Sequence, residues 1–317
     1  MKNYIFRRLI WLFPVMLVIS ILSFSILFLT PGDPAELILE RKLQATPTPE
    51  QIAHFKSMHG LDKPIPVQFI CWLSGVARGD MGASLASGEP VFQEYMKRFG
   101  VSLQLILLSQ VIAIAIALPL GIISAVRANS KIDHACRLAA MAGVSLPSFW
   151  LALLLIYFFS VRLGWLPVCG YGGPKHIILP AVTVGVSGAM SLMRLTRSSL
   201  LEVLRFNYVR TARAKGLPEK TVVIRHAWRN AMIPVVTAVG LHFGHVATGM
   251  VIVEILFAWP GIGAFLVKAI AARDFPVIQG FVLMGALIFV LLNLAVDVLY
   301  AWLDPRVTYA AKGVRLK

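Results

Sequence analysis

Tyr208-Val209-Arg210-Thr211-Ala212-Arg213-Ala214-Lys215-Gly216-Leu217, followed by Pro218 and a second basic run that ends in Arg229-Asn230-Ala231-Met232-Ile233-Pro234, decides how this chain is read. It is the longest strongly basic interval in a chain otherwise built of apolar runs. From Leu195 to Lys215 the composition is helical with no proline or glycine. Gly216-Leu217-Pro218 then supplies the glycine that closes a helix and the proline that cannot continue one. A second helical segment begins at Glu219 and leads into Asn230. Two helices joined by a glycine turn form a stiff basic knob over residues 194–230, and Phe206 and Tyr208 add rings that suit a groove on a soluble partner. The same composition also fits a plain positive anchor that orients the flanking apolar runs.

Working outward, those flanks are long and apolar. Of 317 residues, 58% are hydrophobic and 14% charged, and the charged share is about half that of an ordinary soluble domain. The formal charge of +15 does not point to nucleic acid, because the 30 lysines and arginines sit between apolar runs rather than on a polar domain. Crossing a hydrocarbon core roughly 30 Å thick takes about 20 apolar residues in a helix. Six runs qualify: Leu9–Leu29, Val101–Val126, Leu138–Val161, Ile177–Met193, Ala231–Phe257 and Val277–Trp302. Pro119 and Pro147 lie inside the second and third as kink sites that a membrane helix tolerates where neighbours satisfy the freed carbonyl, and the fourth is the shortest. The first is too long for the apolar region of a signal peptide and has no small-x-small cleavage site before Pro31, so it is expected to stay as a span.

With a cytoplasmic N-terminus, 19 of the 30 basic residues fall inside. Seven of the other eleven lie in one long outer loop with eight acids, and long loops translocate with little regard to charge. Both termini are therefore expected in the cytoplasm. The expected fold class is all-α: a polytopic membrane protein with six transmembrane helices and a small extracytoplasmic module between the first two. Residues 1–30 form the first span, 31–100 the outer module, 101–302 the core with its inner loop at 194–230, and 303–317 a cytoplasmic tail. In the module, Pro49 to Gly60 reads as a short helix, with Pro64, Pro66, Gly79, Gly82 and Pro90 cutting the remainder into turns. Between Ala258 and Pro276 a short interfacial or re-entrant helix is expected over the outer mouth.

No catalytic signature appears. There is no G-x-x-x-x-G-K-[ST], so any ATP that drives this chain is hydrolysed on another subunit, and neither H-E-x-x-H nor G-x-S-x-G is present. Cys71, Cys136 and Cys169 lack paired metal-ligand spacing, and no metal site is assigned. Polar residues inside spans are the better signal, since a charge at mid-bilayer costs on the order of 3 kcal/mol. His242 and His245, three apart beside Gly240 and Gly244, together with Glu254 near the outer end, form a candidate translocation path. The two imidazoles equally suit hydrogen bonding across a close helix contact. Glu254, four residues from Ala258, also suits a helix end within reach of water. An ATP-independent six-span channel or proton-coupled carrier is the competing class, and the lack of a strong intramembrane relay counts against it.

The residues themselves resemble the permeases of ABC importers, in the dipeptide, oligopeptide and nickel branch. Tyr208 to Leu217 is close to that branch's form of the EAA loop, with Arg210 and Thr211 where the general motif has Glu and Ala. Arg7-Arg8-Leu9 with Pro31-Gly32-Asp33-Pro34, Gly60-Leu61-Asp62-Lys63-Pro64, Gly79-Asp80-Met81-Gly82, Ser145-Leu146-Pro147-Ser148-Phe149-Trp150 and Phe257-Ala258-Trp259-Pro260-Gly261-Ile262-Gly263 extend the resemblance along nearly the whole chain. The resemblance implies a homologous second permease, two cytoplasmic ATPases that carry ATP and Mg2+, and an external solute-binding protein, with no cofactor on this chain. It implies that Phe206, Tyr208, Arg210, Thr211, Ala212, Arg213, Lys215 and Gly216 meet an ATPase. Gly170-Tyr171-Gly172-Gly173, His176 to Ala181 and His242 are similar to nickel-type members, which makes nickel or a metal chelate the expected cargo, with small peptides the alternative.

Overall fold

Proline and glycine set most of the helix boundaries. The computed structural model describes residues 2–29, 32–43 and 45–303, and within them all side chains except those of 2–9, 26–29, 34, 41–42, 242–249, 296–297 and 299–303. The expected tail after residue 303 lies outside the described residues. Apart from one antiparallel bridge between Ala83 and Pro90, the regular structure of the described residues is helical. In chain order the helices are α1 (Lys2–Leu29), α2 (Pro34–Leu43), α3 (Pro49–His59), α4 (Ile65–Ala77), α5 (Val91–Val126), α6 (Lys131–Ser145), α7 (Ser148–Leu155), α8 (Ile178–Val203), α9 (Asn207–Ala214), α10 (Glu219–Thr221), α11 (Trp228–Gly249), α12 (Val251–Leu256), α13 (Ile262–Ala271) and α14 (Phe275–Leu303). Wider π-type turns follow α7 over Ile156–Arg162 and α10 over Val222–Ala227.

Among the described residues, α5, α8 and Phe275–Ala295 of α14 are long and apolar enough to cross a membrane. A fourth crossing results if α6 and the helix that starts at Ser148 count as one span bent by 104°. The expected kink at Pro147 is thus a full break: Leu146, ahead of the proline, is held extended at ψ 124°, outside the helical region. The runs at Leu9–Leu29 and Ala231–Phe257 are helical as well, the second split at Met250 into α11 and α12.

The described residues divide into two compact units, one made of Ser102–Trp259 with residues 292–303, the other of Lys2–Val101 with Pro260–Leu291. In the first, α8 packs against α6, α7 and α11. Its approach to α5 depends on glycine: a Cβ on Gly185 would stand 2.8 Å from the Ser109 carbonyl oxygen and 2.8 Å from Ile112, and one on Gly121 would stand 2.7 Å from Thr196. Such contacts force backbone to move, typically at a cost of about 1–3 kcal/mol. Gly185→Val is therefore expected to lower the thermal unfolding midpoint in detergent by several degrees. Gly100→Ala, whose Cβ meets nothing within 4 Å, should leave it unchanged; equal midpoints for the two variants would show that α5 and α8 do not need the close approach.

In the second unit, Thr48 caps α3 in a reciprocal capping box with Gln51, and Gly60 ends the helix at φ 64°. Two further helices stand where the sequence suggested none or only turns. Asp33 Oδ1 accepts from the Ala35 amide to start α2, and Pro64 and Pro66 begin α4 rather than breaking the chain, because a proline in a first turn forfeits no helical hydrogen bond. The turn at residues 84–88 is fastened from α14's approach: the Asp274 carboxylate accepts from Ser84 Oγ and from the amides of Leu85 and Ala86. The short apolar helix expected after Ala258 is α13.

Candidate functional site

The basic knob is built differently from the uninterrupted helix its composition suggested. α8 stops at Val203, and i→i−3 bonds from Arg205 and Phe206 turn the chain before α9 starts. The corner buries Val209 and Ala212 with Leu200, Val203, Val222 and Ala227 in one cluster. A helix running straight on from α8 would leave Val209, which is fully buried, in water. Hydrophobic burial outweighs the local helical preference here.

With its apolar face used inward, α9 turns its remaining side chains outward. Phe206, Tyr208, Arg210, Thr211, Arg213 and Lys215 are exposed, whereas Ala212 is buried in the core of the corner. The Phe206 and Tyr208 rings lie 6.0 Å apart, and Tyr208 Oη accepts from Asn230 Nδ2 at 2.7 Å, tying α9 to the start of α11. Gly216 follows the helix at φ 76°, with its amide donating to the Arg213 carbonyl at 2.9 Å. Across that turn Arg213 grips Glu219 with two bonds, Nε at 3.1 Å and Nη2 at 2.6 Å. The guanidinium beside it holds the Glu219 carboxyl below the ordinary glutamate range. The fork is therefore complete at neutral pH and is released only as acid carries the pH below that range. Both partners are solvated, so the fork fixes the angle between α9 and α10 more than it adds stability.

The knob carries positive charge and two exposed rings on a short helix held at both ends, and beside it an open groove of about 410 Å3 is lined by Ile123, Val126, Lys220 and Ile224 among others. The arrangement presents a rigid surface. The sequence did not identify Glu219 or Asn230 as part of the site. An arginine six residues before a glutamate, with a glycine turn between, was the available signal for the first.

The candidate path residues fare differently. His242 and His245 fall on α11, and their side chains lie outside the described residues. Glu254 does not stand at a water-exposed helix end: it is 1% exposed, and Ser102 Oγ donates to its Oε1 at 2.5 Å. The Trp259 amide donates to the Glu254 carbonyl and closes the end of α12.

The family description "Binding-protein-dependent transport system inner membrane component" matches residues 117–309, and its N-terminal counterpart matches residues 1–106. The glutathione transport system permease protein GsiC of Salmonella typhi is 44% identical over 309 residues, 98% of this chain and 100% of the relative. That of Escherichia coli (strain K12) is 43% identical over the same shares. Among solved structures, an inward-facing form of the MetNI methionine ABC transporter shares the fold, with a TM-score of 0.58 at 19% identity over 67% of this chain and 97% of that one.

Proposed function

The chain belongs to the family of binding-protein-dependent transport system inner membrane components, permeases of ABC importers with the type I fold, and from that membership we propose that it carries small peptides of the glutathione kind. As a permease subunit it is not itself an enzyme. The observation that carries the substrate reading is the 44% identity to glutathione permeases across 98% of the chain. It favours the small-peptide alternative over nickel, which rested on short strings and two histidines.

In this reading six helices cross the inner membrane with both termini cytoplasmic, and residues 31–100 face the solute-binding protein outside. A second permease completes the path, for which His242 and His245 are candidate lining residues. Two ATPases hydrolyse ATP with Mg2+, and one of them seats α9 through Phe206, Tyr208, Arg210, Arg213 and Lys215. The physical support is stiffness: force passes through a helix fixed at one end by the Tyr208–Asn230 bond and at the other by the Gly216 turn and the Arg213–Glu219 fork.

The test is to purify the cognate solute-binding protein from its host and identify its cargo by mass spectrometry and metal analysis. A short peptide, with the assembled importer's ATPase stimulated by that loaded protein, is the expected result. Bound nickel or a metal chelate would overturn the substrate while leaving the permease assignment in place.

A further inference from the structure

Away from the knob, an open cavity of about 650 Å3 lies between α6 and the C-terminal half of α8. Arg137, Arg194 and Arg197 line it with Ser191 and Ser198. These charges are not cancelled. Asp133 spends both oxygens on Arg197, at 2.7 and 2.8 Å, on Ser124 and on the Asn129 amide. Arg137 Nε is left 4.0 Å from that carboxylate, buried and without a hydrogen bond. Among the described residues no acid reaches Arg194 within ion-pair distance. Three guanidinium groups line the cavity against the single Asp133 carboxylate, which leaves a surplus of about two positive charges facing it.

The rim adds a second property. Leu138 is 67% exposed and Met141 61% exposed on α6, beside the arginines. Arg194 is also the first charge after the apolar part of α8, so the cavity opens where that helix leaves the hydrocarbon. A dissolved anion gains nothing from an apolar rim, whereas a phosphate that carries acyl chains does. Basic pockets between helices at the cytoplasmic boundary suit anionic head groups for this reason.

We propose that Arg137 and Arg194 hold the phosphate of an anionic phospholipid, with Ser191 donating a further hydrogen bond and an acyl chain covering Leu138 and Met141. The site rests on α8 crossing the membrane and not on the identity of the cargo. Arg197 belongs to the Asp133 clamp and positions the cavity wall.

The assembled importer in phosphatidylcholine nanodiscs, doped with spin-labelled phosphatidylglycerol, tests this. The parent complex should immobilise the label. Removing two arginines, at about fivefold each, should weaken that retention about twenty-fivefold in R137Q/R194Q, and R137K/R194K should keep most of it. Should the double variant assemble poorly, R194Q alone, at an exposed position, should still lose about fivefold. Undiminished retention in either variant overturns the proposal. So does full displacement of the labelled lipid by excess inorganic phosphate, which would mark a free-anion site. So would unchanged lipid retention with a raised KM for peptide uptake, which would hand the arginines to a substrate carboxylate.

Discussion

Asp133→Ala is expected to cost the folded permease about 3–5 kcal/mol, enough to lower its yield and its thermal midpoint in detergent sharply. The side chain is 0% exposed, and four donors converge on its two oxygens. Those donors come from three places: Ser124 near the end of α5, the amide of Asn129 in the following turn, and Arg197 on α8. Alanine would leave the Arg197 guanidinium, 19% exposed, with no counter-charge, and would orphan Ser124 and Asn129 as well. The penalty is mainly that of an uncompensated buried charge, so it should shrink when the charge goes too: D133A/R197M is expected to be more stable than D133A alone. The amide that D133N introduces keeps one acceptor oxygen, so that variant should fall between the parent and D133A. A D133A midpoint within about two degrees of the parent, or a double variant worse than the sum of its parts, would sink this account.

That clamp also shows where the sequence was silent. Asp133 and Arg197 are 64 positions apart, and Asp133 reads locally as an acid in the first turn of α6 behind the Ser130 cap. Local chemistry was legible: the helix from Pro49 to Gly60 and the glycine turn at 216 follow from residues within a few positions of each other. The corner at Leu204–Phe206 was not, because no breaker stands between Leu195 and Lys215; the corner is set by Val209 and Ala212 seeking a common core with Val222. Glu254 misleads for the same reason. Its distance from a helix end in sequence says nothing about Ser102, which lies on another helix and closes over it. Of the candidate coupling residues the exposed ones were legible as charge and ring content. Ala212 was not, since its place in the motif does not reveal that it faces inward.

Gly216→Val should abolish coupled uptake, by about tenfold or more, while ATP hydrolysis by the assembled complex continues or escapes control by the solute-binding protein. The expected effect is conformational rather than steric. A Cβ at this position meets nothing within 4 Å, so no clash in the present structure opposes the substitution. The backbone does oppose it: φ is 76°, a region that costs an L residue about 1–2 kcal/mol and a β-branched one more. The cheapest escape is to rotate the turn, which would carry Lys215, Pro218 and Glu219 out of register and pull Glu219 away from Arg213. α9 would then meet its partner at a different angle, and motion of the ATPase would reach α11 weakened or not at all. The series of substitutions discriminates. Asn tolerates the left-handed region and should keep most uptake, Ala should lose part of it, and Val nearly all. R213E, which breaks the fork without touching the turn, should reproduce the loss of uptake with normal backbone at residue 216. Uptake in the Val variant equal to the parent at equal assembly would remove the lever from the mechanism. Loss of assembly rather than of coupling would make α9 an anchor for the ATPase, with transmission passing through another contact.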